Sequence, residues 1–273
     1  AEAAELAQPQ TWRARRTVFM HRVHARWAAR ARPATAFVSQ PEPRTIGHFA
    51  RGRQLIAGNL LFAGTLTEGK DRSIWDAMGD PQLLTEELHG CAWLDDLAAV
   101  GDAKARARGQ AWVYEWIARF GDGTGPGWKP DLTGRRLIRW INHGFFLLRG
   151  QERENSQRFF RSLGRQTIFL SRRWQTATPG LSRFEALTGM IYAGLTLEGM
   201  EKYVAPAIKA LAQDCHKEID AEGGIATRNP EELLEVFTLL TWAAAALSDA
   251  GRGTPREHLD AIERIAPTLR SLR

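Results

Sequence analysis

The chain has 273 residues, of which 44% are hydrophobic and 25% charged, a balance typical of a folded protein long enough to bury a sizeable core. No apolar run approaches the roughly 18 residues that a membrane-spanning helix needs, and the arginine-rich N-terminus lacks the apolar stretch of a signal peptide. Only two cysteines, Cys91 and Cys215, are present, which excludes a disulfide framework and a cysteine-based zinc site. We interpret both as small buried hydrophobic residues.

The net charge of +6 is unevenly distributed along the chain. Ten arginines and one acid, Glu42, fall between Arg13 and Arg53, so this segment carries a charge of +9. Residues 54–273 hold 27 basic and 28 acidic residues and are close to neutral. The body of the protein therefore lacks the overall basic charge of a nucleic-acid-binding domain, and we expect no specific nucleic-acid partner for it.

The first predicted element is an arginine-rich helix over residues 11–32. Its apolar members recur near helical spacing, and they are Trp12, Phe19, Met20, Val23 and Trp27. Two interpretations fit this pattern: the helix packs its tryptophan face on the body, or it lies on an anionic membrane or polymer. A proline-rich linker follows from Arg32 to Pro43. We place the boundary between the N-terminal arm (residues 1–43) and the body (residues 44–273) at its end.

The body is predicted to consist of successive helical hairpins. Glycine and proline cluster between the predicted helices and are scarce within them, which is the pattern expected of helix ends. The predicted helices cover residues 102–120, 132–148, 157–174, 184–198, 203–221 and 231–247. They form three hairpins of roughly 50 residues each, a spacing typical of helical-repeat architectures. We find no alternating strand pattern of convincing length.

The two helices of each predicted hairpin differ in polarity. The first carries charges along one side, whereas the second is apolar on nearly every side, as in residues 187–195 and 236–247. A helix that is apolar all round must be buried all round, so the second helices form an inner ring and the first helices an outer ring. Gly144, Gly189 and Gly194 suit an inner ring, where backbones approach closely. The predicted fold class is all-α, an incomplete (α/α) toroid of helical hairpins with a basic N-terminal helical arm.

The candidate binding site lies on one rim of this ring. The loops that join outer to inner helices open there, and the inner helices direct their positive N-terminal ends towards it. Arginines bind carboxylates and sulfates through forked hydrogen bonds, and an indole face packs on a sugar ring, so this rim suits a long acidic sugar. The candidate substrate-binding residues are Trp128, Arg136, Arg139, Trp140, His143, Arg183, Arg228 and Asn229. The alternative for each is a side chain that packs between helices with its polar end in water.

Several short segments of the body stand in a characteristic order. They are Glu87–Leu97, the Trp128-x-Pro130 loop that leads into Arg136–Ile141, Tyr192–Gly194, Glu222–Gly224 and Arg228–Pro230. Together they resemble the N-terminal α/α-toroid domain of heparinase II/III-like polysaccharide lyases, an alginate lyase or chondroitin AC lyase-like fold. The resemblance runs from about Arg44 to the end of the chain.

The resemblance implies a bacterial protein that cleaves a glycosaminoglycan-like, uronic-acid polysaccharide by β-elimination. In that reaction an Asn, His or Arg neutralises the substrate carboxylate, and a Tyr or His moves the proton. The family positions for these residues are occupied here by Ser182, Arg183 and Glu232, so the catalytic residues are unknown. The resemblance further implies a C-terminal β-sandwich domain as a partner, which would hold the family's zinc. The segment itself is expected to hold no cofactor and to be inactive alone.

Three hypotheses follow. In the first, the rim of a lyase toroid domain binds acidic polysaccharide, with Arg139, His143, Arg183 and Arg228 holding carboxylate or sulfate groups. In the second, a non-catalytic carbohydrate-binding or envelope-assembly protein kept the fold and lost the lyase residues. In the third, the basic arm binds nucleic acid or membrane. The chain as given shows no signal peptide and is consistent with the cytoplasm, whereas the resemblance suggests the periplasm or cell envelope, so localisation stays open.

Overall fold

The computed structural model describes residues 12–30, 34–39, 43–69, 72–77 and 79–271, and helices dominate these residues. The helices are α1 (Trp12–Ala28), α2 (Phe49–Ala57), α3 (Pro81–His89), α4 (Ala92–Val100), α5 (Ala103–Phe120), α6 (Pro130–Asn142), α7 (Gly144–Leu148), α8 (Arg153–Arg173), α9 (Leu181–Thr196), α10 (Val204–Glu218), α11 (Pro230–Asp249) and α12 (Arg256–Ser271). A two-stranded antiparallel sheet, β1 (Asn59–Phe62) and β2 (Thr65–Glu68), follows α2. The predicted all-α class is confirmed.

Polar caps and prolines begin the helices of the body where the sequence predicts their starts. The Asp102 carboxylate accepts a hydrogen bond of 2.7 Å from the Ala105 amide and caps α5. Asn229 accepts one of 2.9 Å from the Glu231 amide, and Pro230 takes the first position of α11. Both arrangements satisfy amides that have no partner within the helix.

The predicted contrast between inner and outer helices is confirmed for the first hairpin. Ten of the 13 residues of α6 are buried, against five of the 18 residues of α5. The inner helix α9 contacts α6, α8, α10 and α11 and lies at the centre of the body. Two glycines bring α6 and α9 together, because a Cβ on Gly189 would lie 2.5 Å from the Gly134 Cα. Close packing of the two inner helices therefore depends on residues without a side chain.

The last hairpin does not show the same contrast. Seven of the 20 residues of α11 are buried, and seven of the 15 residues of α10. One side of α11 packs on α9 and α12, whereas the opposite side, which includes Leu234, is exposed. Helix α12, like α2, α3 and α4, was not among the predicted elements.

Two local features differ from the sequence-based prediction. The strands β1 and β2 form a hairpin, although no strand was expected. Each has four residues, too few for a clear alternating pattern, and the two-residue turn at Ala63 and Gly64 has positive φ at both positions (49° and 73°). The helix predicted over residues 132–148 is interrupted at His143, which separates α6 from α7.

The N-terminal arm packs on the body through the side opposite to its tryptophans. The buried residues of α1 are His21, Ala25 and Ala28, and the helix contacts α8. Trp12, Phe19 and Trp27 are 72%, 63% and 55% exposed. Of the two interpretations of the tryptophan face, packing on the body is therefore wrong, although the helix itself is present.

The part of the linker that the structure describes lies along the end of α9. Val38 donates its amide to the Thr196 carbonyl (2.8 Å), and Glu198 donates to the Ala36 carbonyl (3.1 Å). Arg32, Pro33 and residues 40–42 of the linker lie outside the described residues, so the boundary at residue 43 stays a prediction.

Candidate functional site

A cleft of about 810 Å³ opens on the inner side of the helical body. Its walls come from α3, α6, α9 and α11, with Ile46 and His48 at one edge. The polar side chains that line it are His48, Glu86, Glu87, Arg135, Arg139, Glu185, Glu235 and Thr238. Leu83, Leu234 and Trp242 supply apolar surface. Two arginines therefore face at least four carboxyl groups, and the lining is not the cationic surface that was predicted.

Arg135 of α6 pairs with a buried carboxylate within this cleft. Its Nε donates a hydrogen bond to Oε1 of Glu185 on α9. Burial raises the pKa of Glu185, Arg135 opposes that shift, and the neighbouring Asp131 and Glu235 reinforce it. The net effect raises the pKa of Glu185 to about 7, so Arg135 is held by a carboxyl group that is only partly ionised near neutral pH.

Arg139 and His143 both bind Asp95 of α4. The Arg139 Nε donates to Asp95 Oδ2 at 2.8 Å and its guanidinium also binds the Gly90 carbonyl at 3.1 Å. His143 Nε2 lies 2.8 Å from Asp95 Oδ1 and 3.2 Å from the Thr45 hydroxyl. Burial opposes ionisation of Asp95, but its two partners outweigh that effect and lower its pKa.

This geometry does not form a nucleophile relay. In a catalytic triad the hydroxyl and the carboxylate bind different nitrogens of the imidazole, so that a proton passes across the ring. Here Asp95 and Thr45 both contact Nε2 of His143. The cluster is a packing contact between α4 and the end of α6.

Arg136 lies in the core and not on the rim. Its side chain is fully buried, and its guanidinium donates to Gln166, to the carbonyls of His89 and Gly127, and lies 4.1 Å above the Trp116 ring. Burial lowers its pKa to about 10. It joins α6 to α8, to the end of α3 and to the loop before α6.

Trp128 and Trp140 are part of the same aromatic core. The Trp128 indole donates to the Phe120 carbonyl (2.8 Å) and packs on Trp116, while Trp140 contacts Trp116 edge to face and stacks on Phe159. Both indoles are at most 2% exposed. Neither one presents a face to solvent, so the alternative interpretation as packing residues fits their position.

The remaining predicted residues lie on other elements and do not line the cleft. Arg183 donates to the Ala177 carbonyl (3.0 Å) and lies 3.7 Å from Asp214. Arg228 is exposed and lies 3.4 Å from Asp220. Asn229 caps α11. Of the eight predicted substrate-binding residues, Arg139 alone lines the cleft, and the expected convergence of Arg139, His143, Arg183 and Arg228 on one cleft is not observed.

The family positions for catalysis are also placed outside the cleft lining. Ser182 and Arg183 lie in the first turn of α9, and Glu232 accepts a hydrogen bond of 2.8 Å from Thr227 at the start of α11. Among the described residues that line the cleft there is no tyrosine, and the one histidine is His48.

Arg135, Glu185 and Glu235 were not among the candidate substrate-binding residues, although all three line the cleft. On α6, the pair Arg135 and Arg139 faces the cleft, whereas Arg136 and Trp140 face the core. Each pair is four residues apart, so helical spacing groups its members correctly. The spacing does not reveal which pair faces outward.

Two further features of the described residues bear on the class of site. No group of three or more histidine, cysteine, aspartate or glutamate side chains is arranged to hold a metal ion there. Within the same residues, every helix is too short or too polar to cross a bilayer.

Comparisons with known proteins identify the fold. No known family profile matches the chain. FtsZ-localized protein C of Caulobacter vibrioides (strain NA1000 / CB15N) is 29% identical over 243 residues, which is 88% of this chain and 41% of that protein. The crystal structure of the heparan sulfate lyase HepC from Pedobacter heparinus matches 93% of this chain with a TM-score of 0.64 and 16% identity. That of heparinase III matches 94% with a TM-score of 0.67 and 12% identity.

The chain spans less than half of each of these proteins, covering 43% of HepC and 44% of heparinase III. The predicted α/α-toroid architecture is confirmed by these structures, and at such low identity the likeness concerns the fold alone. The chain has the helical toroid fold found in heparinase III-type lyases.

Proposed function

We propose that this chain is a non-catalytic envelope-assembly module that kept the lyase toroid and lost the lyase chemistry. We further propose that it works in FtsZ-based cell division. The division role is drawn from the similarity to FtsZ-localized protein C, which extends over 88% of this chain. The loss of chemistry is drawn from the site.

One observation carries the non-catalytic proposal: the rim arginines are already paired with carboxylates of the protein. Arg135 binds Glu185, Arg139 binds Asp95, and Arg183 lies beside Asp214. All three carboxyl groups are buried. The positive charge of each arginine is therefore partly offset within the protein, which weakens its attraction for an incoming uronate.

The family positions also lack the tyrosine or histidine that serves as the base of the reaction. β-Elimination needs a donor that neutralises the substrate carboxylate and a base close to the α proton. The family positions hold Ser182, Arg183 and Glu232, and the cleft contributes Glu86, Glu87 and Glu235, which repel an anionic sugar.

Binding of an acidic polysaccharide is the second candidate, and two observations favour it. The fold matches heparan sulfate lyases, and Arg139, a predicted substrate-binding residue, does line the cleft beside Arg135. In this alternative a β-sandwich domain of the same protein would complete the site, as the resemblance implies.

Two measurements test the division role and the loss of chemistry. A fluorescent fusion of this chain, expressed in Caulobacter vibrioides, should accumulate at the FtsZ ring and disperse on depletion of FtsZ. The purified chain, incubated with heparan sulfate and other uronic-acid polymers, should give no increase in the ultraviolet absorbance of an unsaturated product. Diffuse fluorescence in the presence of FtsZ would overturn the division role, and absorbance that increases with enzyme concentration would overturn the loss of chemistry.

A further inference from the structure

The outward side of α1 carries a stripe of large apolar side chains. Trp12, Phe19, Val23 and Trp27 are separated by seven, four and four residues, so they follow one line along the helix. Trp12, Phe19 and Trp27 are exposed to solvent, and Val23 is half-buried. The buried residues His21, Ala25 and Ala28 lie on the opposite side, which packs on α8. The stripe is therefore free while the helix is docked.

Exposed arginines border this stripe. Arg15, Arg22 and Arg26 lie along one edge, Arg13 lies at the other, and Arg16 places its guanidinium 5.7 Å above the Trp12 ring. Among the residues that the structure describes, no carboxylate forms an ion pair with an arginine of α1, and α1 contains no acidic residue. Within the described part of the chain, the positive charge of this surface is therefore not neutralised by ion pairs.

Helix α8, on which α1 packs, extends the same positive field. It contains six arginines and one acid, Glu154. Burial lowers the pKa of both histidines of α1, and nearby basic groups lower it further: Arg173, His24 and Lys129 act on His21, and Arg173 and Arg172 act on His24. Packing two basic helices side by side opposes folding by charge repulsion, and an anionic partner relieves that repulsion.

We propose that the outward face of α1, meaning the stripe of Trp12, Phe19, Val23 and Trp27 with its flanking arginines, docks on an anionic phospholipid bilayer. A helix lying in the membrane interface has this design: tryptophan and phenylalanine enter the headgroup boundary, and arginines bind lipid phosphates. A nucleic acid would match the arginines but would leave the apolar stripe in water. Membrane docking is independent of the proposed division role, because it requires neither FtsZ nor a ligand in the cleft.

The test is sedimentation of the full 273-residue chain with lipid vesicles. The protein should sediment with vesicles rich in phosphatidylglycerol and stay in the supernatant with pure phosphatidylcholine. Binding should weaken as salt is raised, since the Debye length falls from about 10 Å at 0.1 M to about 3 Å at 1 M.

Two variants separate the contributions of charge and apolar contact. Changing Arg15, Arg22 and Arg26 to glutamine should lower the partition coefficient roughly a hundredfold, since each arginine contributes about 1 kcal/mol near an anionic surface. The matched control changes three exposed arginines outside this face to glutamine, namely Arg72, Arg252 and Arg270. It should have little effect on the partition coefficient.

Changing Trp12, Phe19 and Trp27 to serine should lower the partition coefficient by at least about tenfold, because the apolar contact with lipid is lost. Phe145→Ser, at a phenylalanine that is 73% exposed and outside this face, should bind as wild type does. All these side chains are exposed, so circular dichroism should show the native fold in every variant.

Three results would overturn membrane docking. The first is equal sedimentation with phosphatidylcholine vesicles, and the second is unchanged vesicle binding by the serine variant. The third is that duplex DNA displaces the protein from vesicles and that the serine variant binds this DNA as well as wild type does. The last result would assign the face to nucleic acid.

Discussion

The Arg139→Ala substitution distinguishes a structural arginine from one held ready for a ligand. Arg139 donates to the buried Asp95 carboxylate and to the Gly90 carbonyl. Its removal leaves Asp95 with the His143 imidazole as its remaining side-chain partner, and removing one member of a buried pair costs about 3 to 5 kcal/mol. Since His143 retains its contact, we expect a loss of about 2 to 4 kcal/mol in the free energy of unfolding.

The assay is urea unfolding followed by circular dichroism, together with a thermal scan. At this chain length each kcal/mol lowers Tm by about 2 to 4 °C, so Arg139→Ala should lower it by several degrees. Arg228→Ala is the control: its side chain is 76% exposed and lies 3.4 Å from Asp220, and exposed pairs contribute about 0 to 1 kcal/mol. Equal stability of Arg139→Ala and Arg228→Ala would refute the structural role and restore the hypothesis of an arginine that awaits an anionic ligand.

Three further predictions test the core, the helix packing and the arm. Arg136→Met should lower the free energy of unfolding by several kcal/mol, since it leaves two backbone carbonyls and Gln166 without their donor. A urea unfolding midpoint equal to that of wild type would contradict this buried network. Gly189→Ala should be strongly destabilising because the added Cβ would lie 2.5 Å from the α6 backbone. Gly253→Ala is the control and should leave the urea unfolding curve unchanged, because no atom lies within 4 Å of its added Cβ. Burial and neighbouring cations lower the pKa of His21 to about 4, whereas its value in the unfolded chain is 6.5. Between these two values the unfolded chain binds more protons than the folded chain, so the free energy of unfolding falls as pH decreases from 6.5 to 4. Between pH 7 and pH 5 wild type should therefore lose about 2 kcal/mol more than His21→Gln, and an equal loss in both would show that His21 does not titrate in this way.

The sequence determined the helical architecture because its markers are local. Glycine, proline and capping residues mark helix ends within a few positions, and the starts of α5 and α11 follow Asp102 and Asn229. The all-round apolar pattern of residues 187–195 likewise predicted that α9 is central. The hairpin of β1 and β2 was not predicted, because strands of four residues are too short to show a clear alternation of apolar and polar residues.

The direction and pairing of the charged side chains were decided by the tertiary structure alone. Arg135 and Arg139 take their partners from Glu185 and Asp95, which lie 50 and 44 residues away in sequence, and spacing along α6 carries no information about them. In α1, an apolar stripe indicates a face that avoids water, but it does not state whether the protein or another surface covers it. The small residues Ala25 and Ala28 allow closer packing on the body than tryptophan does, so the docked side is the one with the weaker hydrophobic pattern, and Trp12 and Trp27 point outward.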